Sequence, residues 1–99
     1  MAAKLRWFVT MLALPVVPQA VDQAAVPDLQ EELDTRQHLR QPRVAWDAQR
    51  QVVTVQVLVE DFIPEQAAAN VAEELFEIAA GVLGDFESMR VEVCLSSES

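Results

Sequence analysis

The chain has 99 residues, 52% of them hydrophobic, with two glycines and five prolines, a composition that folds around one modest core rather than staying disordered. Its formal charge of −9 argues against nucleic acid as a partner, because the phosphate backbone repels such a surface. The single cysteine, Cys94, excludes an internal disulfide framework and a Cys-based zinc site, and it fits a reducing compartment.

The charge is unevenly placed. Up to residue 59 the chain carries six basic and six acidic residues, whereas from Glu60 onward Arg90 stands alone against ten carboxylates. Nothing in the composition marks a linker or a repeat, so one domain over residues 1–99 is expected, with a polar tail at 96–99.

The first element is the apolar run WFVTMLALPVV, Trp7 to Val17, behind the basic start MAAKLR. Two readings compete for it. A basic segment before an apolar one is the pattern of a secretory signal, which would make the protein secreted or periplasmic with residues 1–20 removed. The cleavage site is poor, however: a cut after Ala20 puts Pro18 where a small residue is needed. A membrane-spanning helix needs about 20 apolar residues, and this run has eleven, so no membrane span is expected. The strand reading accounts for more. Trp7, Phe8, Val9, Thr10 and Leu12 suit a strand, Pro15 and Pro18 end it, and both faces are apolar, as in a central strand. A cytoplasmic location follows from that reading.

The next stretch, Gln19 to Leu39, reads as helix, more firmly from Pro27 onward. Asp28, Glu31 and Glu32 then lie near the positive end of its dipole, and Arg36 and Arg40 near the negative end. Val26, Leu29 and Leu33 form its apolar stripe. RVAWDAQRQVVTVQVLVE reads as a hairpin. Val53, Val55, Val57 and Val59 alternate with Thr54, Gln56 and Leu58, the turn is DAQRQ, and Pro42 opens the partner strand and places it at a sheet edge. IPEQAAANVAEELFEIAAGVLG reads as a helix that starts at Pro64 and ends at an αL Gly84, with Ala68, Val71, Ala72, Leu75, Ile78, Ala79 and Val82 on its inner face. MRVEVCL reads as a strand in which Met89, Val91, Val93 and Leu95 point one way and Arg90, Glu92 and Cys94 the other, with Cys94 on the outward face.

The order strand, helix, strand, strand, helix, strand resembles the ferredoxin-like α/β plait (βαββαβ). That resemblance implies an α+β domain with a four-stranded antiparallel sheet, its first and third strands central and two helices on one face. It rests on element order over nearly the whole chain, and the plait serves many functions.

Chemistry-bearing groups are few. Arg36, Arg40, Arg43 and Arg50 form the one basic group and are the candidate site for a small anion, since guanidinium forks suit phosphate and carboxylate. The same residues also read simply as a solvated face. Glu31, Asp34 and His38 could share one helix face and offer a metal its ligands, but a solvated helix end explains them as well. No metal and no cofactor is expected, and no nucleophile–histidine pair nominates itself for catalysis. The sheet face without helices should present Thr54, Gln56, Leu58 and Cys94 with one side of the first strand. A monomer rarely leaves such a face uncovered, so a homodimer or higher oligomer is expected. The expected role is that of a small non-enzymatic, self-associating protein in structural or regulatory interaction. The alternative is an anion-binding regulatory module, and an enzyme using the open face as a pocket comes third.

Overall fold

A computed structural model describes residues 3–15, 25–84 and 86–96, with the side chains of Pro15, Leu83, Phe86 and Glu87 left aside. The chain is an α+β fold. Its elements run β1 (Leu5–Pro15), α1 (Ala25–Asp34), β2 (Arg40–Asp47), β3 (Val52–Asp61), α2 (Pro64–Leu83) and β4 (Phe86–Leu95). The four strands form one antiparallel sheet in the order β2-β3-β1-β4. The residues 19–24 expected to begin the first helix, and the polar tail at 97–99, lie outside the described residues.

Residues 7–15 of the first apolar run thus lie in a central strand, while Val16 and Val17 fall outside the described residues. Val9, Met11 and Ala13 alternate along one face of β1 and are all fully buried. Register sets Val9 between Val57 and Val93, and Met11 between Val55 and Val91. Leu29 and Leu33 of α1 join this cluster, as do Ala67, Val71, Leu75, Ile78 and Ala79 of α2, so both helices pack on the same sheet face. Trp7 closes the core near the start of β1, where its indole N–H donates to the Asp61 carbonyl at 2.9 Å. The inner face of α2 uses Ala67, fully buried, rather than Ala68.

Two local expectations need correction. α1 ends at Asp34, so Arg36 lies beyond it and Arg40 is the first residue of β2; the last helical turn holds no basic residue. The cause is a tight turn. The Thr35 hydroxyl donates to the Glu32 carbonyl at 2.7 Å, and the Leu39 N–H donates to the Arg36 carbonyl at 3.0 Å, which folds Leu39 into the core. At the other helix, Gly84 sits at φ 84 and ψ −152, which is positive φ but not αL. Its N–H still caps the Ala80 carbonyl at 3.0 Å, in a backbone region open cheaply only to glycine.

The hairpin turn is held by Asp47, whose Oδ1 accepts from the backbone N–H groups of Gln49 and Arg50, both at 3.1 Å. Gln51 completes the turn at φ 57. β2 is an edge strand, and it is irregular: its register slips between Arg40 and Arg43, around Gln41 at φ 49 and Pro42.

Candidate functional site

The register lays out the helix-free sheet face in rows. Phe8 of β1 lies between Leu58 and Cys94, and Arg40 lies beyond Leu58. Thr10 lies between Gln56 and Glu92, with Arg43 beyond Gln56. Leu12 lies between Thr54 and Arg90, with Ala45 beyond Thr54. Leu14 stands opposite Ser88.

The face is therefore less apolar than its β1 residues suggest. Phe8 with Leu58 marks one end, and Leu12, Leu14 and Val52 mark the other. Between them runs a polar row, in which the Gln56 amide donates to the Thr10 hydroxyl at a long 3.4 Å. Leu58 points to this face yet is only 3% exposed, set between its cross-strand neighbours Phe8 and Arg40. Thr54 and Gln56 are half-buried, and Cys94 is an exposed free thiol.

The four candidate arginines do not converge. Arg36 reaches Glu32 at 3.2 Å and Glu74 at 3.8 Å on the helix side. Arg40 donates to Glu60 at 2.6 Å, and Arg6 lies 3.5 Å from the same carboxylate. The hydrogen bond and charge of Arg40, with Arg6 and Lys4 adding charge, hold the Glu60 carboxyl below its ordinary value. Arg50 is turned onto Asp47 at 2.8 Å, and its side-chain and backbone hydrogen bonds hold the Asp47 carboxyl below its ordinary value too. Arg43 is exposed, opposite Gln56.

His38 meets α2 instead of a metal triad: its Nε2 lies 2.7 and 2.8 Å from the two Glu74 carboxylate oxygens. Among the described residues no group of three or more His, Cys, Asp or Glu side chains could hold a metal ion. No described polar or charged residue is buried, so the burial that separates the pKa values of a catalytic acid and base is absent among them. No described helix is long and apolar enough to cross a membrane.

Two depressions are formed by described residues alone. One, of about 320 Å³, lies between the helices and is lined by Glu32, Arg36, Glu77, Ile78, Gly81 and Val82. The other, of about 310 Å³, lies on the open face; Leu12, Leu14 and Val52 line it together with Arg50 and Arg90. Sequence reasoning missed that Arg50 and Arg90 line one depression, which depends on the registers of three strands. No protein-family model matches the chain, and no curated protein matches it.

Proposed function

We propose that this chain is a non-enzymatic, self-associating interaction module built as a ferredoxin-like plait. Read from its other edge, the sheet runs β4-β1-β3-β2, with β1 and β3 central, and both helices share one face. That supports the plait, which further requires right-handed crossovers from β1 to β2 and from β3 to β4. An experimental structure with a left-handed crossover would reject it.

The observation that carries the functional reading is the sheet face that no described element covers. Four strands about 4.8 Å apart and four rows about 6.8 Å apart give a footprint on the order of 500 Å². A standard interface buries about 800 Å² per partner, so this face alone suits a modest contact between copies. The charge of −9 opposes that contact, and added salt should tighten it. Sedimentation at micromolar concentration is expected to show an oligomer that strengthens with salt. A uniform 11.0 kDa monomer at low and high salt rejects the reading. The exposed Cys94 thiol suits a cytoplasmic setting, where thiols stay reduced. Recovery from the periplasm of a chain lacking residues 1–20 would overturn that location.

A second reading, a small-anion module, is favoured by the open-face depression between Arg50 and Arg90, with its apolar lining of Leu12, Leu14 and Val52. Such a site suits a carboxylate on a short alkyl chain, competing with Asp47 and Glu92 for the two guanidinium groups. Hexanoate should raise the melting temperature of the wild-type protein, and Arg50→Ala with Arg90→Ala should abolish the rise. A rise that persists in the double variant rejects this site.

A further inference from the structure

We infer that the outer edge of β4 is a self-pairing surface, through which two copies of this chain join β4 to β4 antiparallel about a two-fold axis at Val91. The inference rests on the self-association reading but moves the principal contact from the sheet face to a strand edge. It would merge two four-stranded sheets into one continuous sheet.

β4 ends the strand order, so one of its sides is paired to β1 and the other is unpaired among the described residues. It is ten residues long, FESMRVEVCL, and contains no proline. Its single register shift lies at Leu14 and Pro15, against its first residue. A long, regular edge of this kind is a template for another strand.

The backbone direction is fixed by one bond beyond the strand. The Ser96 N–H donates to the Arg6 carbonyl at 2.8 Å, so Ser96 turns its backbone groups toward β1. Alternation along a strand then turns the backbone N–H and C=O groups of Cys94, Glu92 and Arg90 toward β1, and those of Leu95, Val93, Val91 and Met89 toward the open edge. An antiparallel partner bonds only where outward-turned residues face outward-turned residues. A two-fold centred on a β4 residue satisfies this requirement.

Charge then selects among the centres. At Arg90, the axis sets that arginine against its own copy. At Glu92, it sets glutamate against glutamate. At Val91, Arg90 faces the partner's Glu92, and Glu92 faces the partner's Arg90. Both are positions without backbone bonds, where opposite residues come closest, about 4.5 Å between Cα atoms. On the helix side this centre puts Val91 against the partner's Val91, and Met89, 39% exposed, against the partner's Val93. Arg90 is the one basic residue after Glu60, and it lies in this strand with Glu92 two positions away. Within one chain those two side chains already approach to 3.3 Å, but they are 78% and 47% exposed, so little is lost when they exchange partners.

Charge reversal and cross-linking test the edge and its register. Wild-type protein is expected to sediment as a dimer of about twice 11.0 kDa. Arg90→Glu and Glu92→Arg, each alone, should weaken the dimer at least tenfold, with circular dichroism unchanged and a melting temperature that no longer rises with protein concentration. An equimolar mixture of the two variants should restore a heterodimer, because each mismatched position then meets its complement. The register also sets Ser88 opposite the partner's Cys94. Ser88→Cys should therefore form a covalent dimer on mild oxidation, and adding Cys94→Ala should prevent it. Wild-type Cys94 should not cross-link to its own copy, since this register puts the two about 20 Å apart. A wild-type dimer that survives both reversals, or whose variants fail to recombine, overturns the edge contact while self-association stands. A disulfide between wild-type Cys94 residues overturns the register. A wild-type monomer at 100 µM overturns both the edge and the reading on which it rests.

Discussion

Replacing Met11 with alanine tests whether the first apolar run is the centre of the fold. Met11 is fully buried, between Val55 of β3 and Val91 of β4. The substitution removes Cγ, Sδ and Cε. At about 0.8 kcal/mol per buried methylene-sized group the transfer loss is ~2.4 kcal/mol, and the cavity left behind brings it to ~3–4 kcal/mol. For a domain of this size each kcal/mol is worth about 4–8 °C, so the melting temperature should fall by about 12–30 °C. Urea unfolding followed by circular dichroism, with a thermal melt, measures both quantities. Leu5→Ala is the control: Leu5 lies on the same strand but is 45% exposed, and its loss should cost under about 1 kcal/mol. If Met11→Ala and Leu5→Ala melt together, β1 is not the central strand. The same result would follow if residues 1–20 were cleaved as a leader, and intact-mass measurement of the purified chain separates the two explanations.

Val55→Asp should be more damaging still, by several kcal/mol, because Val55 is 1% exposed and a carboxylate there would be buried without a partner. Near-normal melting of that variant would show that the inward face of β3 is misassigned. The Glu60 carboxyl is held below its ordinary value chiefly by the Arg40 hydrogen bond. A depressed folded-state pKa adds stability at neutral pH and loses it as pH falls from the ordinary carboxylate range through the folded value. In Arg40→Ala the Glu60 carboxyl should therefore titrate at higher pH, which a carbon-detected NMR titration would show. An unmoved midpoint would mean that the Arg40–Glu60 bond does not persist in solution.

Legibility in the sequence followed periodicity. Val53, Val55 and Val57 announce β3 because alternation over several residues admits one burial pattern, and the three are at most 1% exposed. α2 was equally plain between Pro64 and Gly84, although a one-residue offset put Ala68 where Ala67 packs, since alanine on either side of a helical stripe weighs the same. Residues 34–40 were opaque. Leu39 is 5% exposed, but it is one apolar residue among polar neighbours and carries no period, so nothing in the sequence marks the end of the helix at Asp34, ahead of Arg40. The candidate site fared similarly. The outward face of β3 could be read from Thr54 and Gln56, but the near-complete burial of Leu58 depends on Phe8 and Arg40, which come from distant parts of the chain. The ion pairs that separate Arg36, Arg40 and Arg50 are likewise long-range or turn-specific.

The slipped register of β2 bears on how large any assembly can grow. A sheet with two receptive edges adds copies without limit, because each new copy brings another edge. Here the far edge presents Pro42, which has no N–H to offer, beside Gln41 at φ 49, which bends the strand out of line. A chain joined through β4 thus offers a blunt end to the next copy, and the two-fold closes on itself. Concentration should then raise the number of pairs and leave their length unchanged. Light scattering of a concentrated sample should level off at the mass of the pair. Steady growth toward fibres would mean that β2 accepts a strand despite its proline.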